Sequence, residues 1–145
     1  MSNLSKLAAV VGGLVLLFAL GLIGYVVAPY FVGESTEDRT AFLDKVSAQI
    51  NTDLPTKVDE STRLDSTSVD GETLQFNYTL LPPLADTLDT QNFMSQYGSG
   101  IQQIICAKGR LRRMLQKDFR VAYRYQLDDG TALGDIGVAR ADCDV

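Results

Sequence analysis

Residues 63–80 read RLDSTSVDGETLQFNYTL, and their pattern decides the fold. Leu74, Phe76, Tyr78 and Leu80 alternate with Gln75, Asn77 and Thr79, the period-two signature of a strand with one buried face. Asp70-Gly71 supplies the tight turn that joins this strand to the run over 63–69. The same grammar returns further on. Phe119, Val121, Tyr123, Tyr125 and Leu127 point one way, Arg120, Ala122, Arg124 and Gln126 the other, and Asp128-Asp129-Gly130 turns the chain into 132–138.

Working outward from the first hairpin, the flanks read as helices. Upstream, Ser35 or Thr36 caps a helix, Glu37 and Asp38 occupy the first turn where the helix dipole favours acids, and Phe42, Leu43, Val46 and Ile50 recur at helical spacing up to about Asn51, before Leu54-Pro55. Downstream, Pro82-Pro83 stops the strand, and Asp89 or Thr90 caps a helix carrying Phe93, Tyr97, Ile101, Ile104 and Ile105. Gly98 and Gly100 interrupt its middle, each costing up to about 1 kcal/mol relative to alanine, which implies a kink or a close backbone approach. A shorter helical stretch over 110–117 carries Leu111, Met114 and Leu115. Helix, hairpin, helix, short helix and hairpin in that order imply an α+β fold: an antiparallel sheet of two β-hairpins packed against helices on one face.

The first third of the chain has a different composition. Residues 7–31 hold no charged side chain. As a helix they rise about 37 Å at about 1.5 Å per residue, enough to cross a hydrocarbon layer of about 30 Å. The run is too long for a secretory signal and is followed by no clear Ala-x-Ala cleavage site. The expected division is a transmembrane anchor over 1–33 and one periplasmic α+β domain over 34–145. Within the anchor, Ala8 with Gly12, Ala9 with Gly13, and Gly24 with Ala28 are small residues four apart, a candidate helix-association face, and Tyr25 and Tyr30 suit the bilayer interface.

Lys6 on one side of that segment and Arg39 with Lys45 on the other leave orientation undecided by charge. The cysteines add information. Cys106 and Cys143 are the only two, and an even pair in a short exported domain reads as a disulfide, against the alternative of two unrelated buried thiols. This places the domain outside the cytoplasm, as a single-pass protein of the bacterial inner membrane.

The chemistry is mostly one of exclusions. With no histidine, Ser-His-Asp and Cys-His nucleophiles and imidazole metal sites are ruled out. No Cys-x-x-Cys pair suggests zinc, and Asp53, Asp65 and Asp70 lack the glycine and glutamate spacing of a calcium loop. Asp59-Glu60 and Asp128-Asp129 read as turn and surface acids, so no catalytic residue and no cofactor are expected. The sharpest feature is a basic run on an acidic chain of net charge -5: Lys108, Arg110, Arg112, Arg113, Lys117, Arg120 and Arg124 stand with only Asp118 among them. That run is a candidate surface for an acidic partner segment or anionic lipid of the bilayer, with a plain solvated face as the alternative; nucleic acid does not suit the compartment or the net charge.

The layout of the domain resembles the beta-family pilotins of type II secretion systems. The likeness rests on a helix running through Val46-Ser47-Ala48-Gln49-Ile50-Asn51 into Leu54-Pro55, a hairpin, and a helix from Phe93 that delivers Cys106. It continues through 111–115 into Phe119-Arg120-Val121-Ala122-Tyr123 and closes with Cys143. The resemblance implies that Cys106 and Cys143 are joined, and that the domain binds another protein, as pilotins bind a secretin subunit. Pilotins of this kind carry an acylated cysteine, which is not found near the start of this sequence. The leading expectation is therefore a non-enzymatic, membrane-anchored binding or assembly module of the bacterial envelope, engaging an envelope membrane protein or a secretion-system component. A pilin-like structural subunit and an inhibitor of a periplasmic enzyme are the alternatives.

Overall fold

The computed structural model describes residues 35–107 and 109–144. Helix α1 (Thr36–Asn51) opens the described fold, with Phe42, Leu43 and Val46 buried along one stripe. Strands β1 (Thr56–Asp59), β2 (Thr62–Asp70) and β3 (Thr73–Leu80) follow, then helices α2 (Phe93–Ala107) and α3 (Gly109–Gln116), then β4 (Arg120–Leu127) and β5 (Ala132–Val138). The five strands form one sheet in the order β1-β2-β3-β4-β5.

All three helices lie on one face of that sheet: α1 packs on β2 and β3, α2 on β5, and α3 on β4 and α2. Leu64, Tyr78, Leu80, Val121, Tyr123 and Val138 turn their side chains into this core, where they meet Phe93, Ile101, Ile105, Leu111 and Leu115. At the other end of the sheet Phe42 stacks on Phe119 at 5.6 Å between ring centres. No described helix covers the opposite face, which carries Asp65, Gln75, Asn77, Arg124 and Gln126. There Thr79 bonds Asp65, Gln126 donates to Thr79 (3.2 Å), and Asn77 donates to Ser66 (3.1 Å), linking β2, β3 and β4 by their side chains.

The sheet corrects the sequence expectation of two antiparallel hairpins. It is mixed and five-stranded: β3 and β4, one strand from each hairpin, run parallel with Leu74 beside Val121 and Leu80 beside Leu127, because the helical connection between them crosses the sheet face and re-enters at the same end. The additional strand, β1, is four exposed residues paired antiparallel to β2. The transmembrane part of the expected fold is corrected too. No helix among the described residues is long and apolar enough to cross a membrane. The anchor proposed over 1–33, with Ala8, Gly12, Ala9, Gly13, Gly24 and Ala28, lies outside the described residues.

Helix α2 runs unbroken through Gly98 and Gly100, and Gly98 is buried against β5, so the outcome there is close approach without interruption. The glycine that this packing demands is Gly134 on β5. Its φ is 129°, and a Cβ there would lie 2.5 Å from Cγ of Met94.

Candidate interaction surface

A row of rings runs from beside the core, through it, to the surface. Phe76 on β3 meets Tyr123 at 5.3 Å, Tyr123 meets Tyr78 at 5.1 Å, Tyr78 stacks on Tyr125 at 5.2 Å, Tyr125 meets Phe93 at 5.5 Å, and Phe93 meets Tyr97 at 5.2 Å. The parallel pairing of β3 and β4 builds this row, since it sets Phe76 beside Tyr123 and Tyr78 beside Tyr125 on the same side of the sheet. Burial holds the phenols neutral: it raises Tyr123 to about 12 and puts Tyr78 and Tyr125 above the usual tyrosine range. Tyr97 ends the row and is 46% exposed.

Helix α2 reads FMSQYGSGIQQIICA and contains no charged residue. Of its five expected apolar positions, Phe93, Ile101 and Ile105 are buried, whereas Tyr97 and Ile104, at 46% and 52% exposure, are not. The sequence places all five on this helix without distinguishing covered from uncovered positions. Docking on β5 and α3 decides which of them are covered.

Beside α2 lies the basic helix. In α3 the apolar Leu111 and Leu115 are buried, Arg110 is half-buried, and Arg112 and Arg113 are exposed. Lys117 follows, exposed, just before β4. Arg120 and Arg124 belong to a different surface: they are exposed on β4 and lie on the sheet face away from the helices, where strand alternation sends them. Lys108 lies outside the described residues. The six described members of the run are thus divided into a helical group and a sheet group. The structure also brings in two arginines that spacing could not have found. Arg39 of α1 pairs with Glu72 (2.5 Å), donates to the Lys117 carbonyl (2.9 Å) and rests over the Phe119 ring at 4.2 Å. Arg140 pairs with Asp118 at 3.7 Å.

The C-terminal segment is fastened against these helices. Cys106, at the end of α2, is bonded to Cys143, with 5.6 Å between the Cα atoms. Gln102 donates to the Asp142 carbonyl (2.9 Å) and Arg112 to that of Asp144 (3.5 Å). An open depression of about 580 Å³ is lined here by Asp118, Ala139, Arg140, Ala141, Cys143 and Asp144. Among the described residues no group of three or more Cys, Asp or Glu is placed to hold a metal ion.

Comparison with known proteins gives the fold a context. The model of a family described as domain of unknown function (DUF8479) matches residues 35–133, from the start of α1 into β5. No curated protein matches the chain. Three solved structures share the architecture. A Pseudomonas aeruginosa protein proposed to be secreted superposes with a TM-score of 0.64 at 17% identity, covering 77% of this chain and 99% of its own. The pilotin EpsS of the Vibrio vulnificus type 2 secretion system superposes with 0.63 at 13% identity, covering 76% and 96%. The Vibrio cholerae type II secretion pilotin AspS gives 0.59 at 14% identity, covering 74% and 94%. The described residues therefore have a pilotin-like fold. The single-pass inner-membrane location expected from sequence is withdrawn: no described helix is long and apolar enough to cross a membrane, and the neighbours of this fold are pilotins and a protein proposed to be secreted.

Proposed function

The chain belongs to the family described as domain of unknown function (DUF8479), and we propose that its role is non-enzymatic: a binding and assembly module that engages a component of a secretion system. The neighbouring pilotins supply the class of partner, and the surface supplies its chemistry. One observation carries the reading: two exposed apolar side chains, Tyr97 and Ile104, stand on a helix without charge that packs directly against the basic helix α3. Protein-binding patches have this anatomy, an aromatic and apolar centre depleted of charge with a polar rim. The matching partner is an amphipathic segment with an apolar stripe for Tyr97 and Ile104 and acidic residues for Arg110, Arg112 and Arg113.

The test is a titration of the full chain with two fluorescent helical peptides that share a leucine stripe, one with glutamate and one with lysine on the flank. The acidic peptide should bind more tightly, and its affinity should fall as salt rises. Arg112→Glu with Arg113→Glu, and separately Tyr97→Ser with Ile104→Ser, should each weaken it by at least about tenfold. Equal binding of the two peptides, or indifference to both pairs of substitutions, would refute the proposal.

A further inference from the structure

The two edges of the sheet are finished differently. On the β1 side the edge is blunt: β1 is four residues long with its register broken between Lys57 and Asp59. Beyond β1 the exposed flank of β2 is occupied by a side chain, for Asn51 accepts from the Thr67 N–H (2.6 Å) and donates to the Thr67 carbonyl (2.9 Å). These are ordinary protections of a sheet edge.

The β5 edge has no such cover among the described residues, and the bonding pattern shows which groups it leaves open. Backbone polar groups alternate sides along a strand. In β4 the Arg120 N–H donates to the Glu72 carbonyl (3.0 Å), toward β3, while the Leu127 N–H donates to the Thr131 carbonyl (2.8 Å), toward β5. Val121 and Tyr123 therefore face β5 and bond their partners Val138 and Ile136, whereas Ala122 and Arg124 face β3. Their partners Gly137 and Asp135 consequently turn N–H and C=O off the sheet, and both residues are exposed.

We infer that this edge joins two copies of the chain: the β5 strands pair antiparallel about a two-fold axis at Ile136, making one continuous ten-stranded sheet. Three features favour a second copy over a foreign strand. The first is charge. About that axis Asp135 of each copy stands opposite Gly137 of the other, on the open sheet face, and a guanidinium nitrogen of Arg120 lies 3.6 Å from where a Cβ on Gly137 would be. Because Gly137 has no side chain, the incoming carboxylate reaches Arg120, twice by symmetry. The second is register. Sliding by two residues one way sets Asp135 against Asp135, like charges directly opposite; the other way moves Asp135 away from Gly137 and Arg120 to stand opposite Ala139, whose N–H already donates to Asp142 (2.8 Å). The third is the helix face. The half-buried Ile136 meets its own copy at the axis, and α2, which lies over β5, carries no charge to repel a second α2 from a chain of net charge -5.

Sedimentation equilibrium of the full chain over a range of concentrations tests this, with Arg120→Glu, Asp135→Arg, the double swap, and Gly137→Pro. The wild type should show a monomer–dimer equilibrium. Each single reversal should raise its dissociation constant at least about tenfold by setting like charges together, and the double swap should restore it. Gly137→Pro removes an N–H that points off the sheet, so it should abolish the dimer while far-UV circular dichroism stays that of the wild type. A chain that is monomeric at every concentration, a dimer indifferent to both reversals, or one that survives the proline would overturn the inference.

Discussion

Replacing Asn51 with alanine tests how α1 is tied to the sheet. Asn51 closes the helix, and its carboxamide takes the place of a neighbouring strand for Thr67, accepting from its N–H at 2.6 Å and donating to its carbonyl at 2.9 Å. Thr67 is 4% exposed, so truncation strips partners from one donor and one acceptor in a buried position. A buried group left without a partner costs about 1–3 kcal/mol. Two such groups would bring about 2–6 kcal/mol. Asn51 is itself half-buried, so water entering the vacated space satisfies part of the demand, and the Thr67 hydroxyl keeps Ser47 as a partner at 2.8 Å. The expected loss is therefore about 2–4 kcal/mol, a large share of a margin of about 5–15 kcal/mol. Urea unfolding of the full chain should show a lower midpoint at unchanged slope. The Thr67 amide should exchange hydrogen faster in the variant. A loss below about 0.5 kcal/mol, the usual result at an exposed site, would refute the idea that the carboxamide substitutes for a strand.

Two further outcomes follow from other parts of the fold. Reduction of the Cys106–Cys143 bond, or its replacement by two serines, frees a loop of 37 residues in sequence separation and should lower stability by about 4 kcal/mol in the chain-entropy account; equal urea midpoints with and without reductant would contradict it. The buried tyrosines set an alkaline limit. Their folded pKa values are raised, so the neutral forms stabilise the fold fully below the unfolded value of about 10, and that contribution disappears as pH rises through the folded values, about 12 for Tyr123. Tyrosinate absorbance from Tyr78, Tyr123 and Tyr125 should accordingly appear late and together with loss of the fold; reversible titration of all three near pH 10 would exclude the buried row.

Local features of this protein were legible because their causes are local. Asp70-Gly71 closes β2 on β3 through Gly71 at a φ of 57°, and Asp128 to Gly130 does the same for β4 and β5. The apolar spacing of Phe42, Leu43 and Val46 sufficed to place α1. Strand alternation also assigned Val121 and Tyr123 to one side of β4 and Arg120 and Arg124 to the other. The parallel junction of β3 and β4 was not legible, because strands joined through residues 81–119 become neighbours only when α2 and α3 find the sheet face they cover. The candidate surface depended on that same step. Sequence showed a basic run, and alternation set Arg120 and Arg124 apart on β4, but nothing in it showed that Arg39 joins Lys117 from α1. It showed an apolar stripe on α2 but not which members the sheet would leave uncovered. Side-chain direction within an element is set by backbone period, which sequence carries; what lies opposite that side chain is set by how the elements dock, which tertiary packing alone decides.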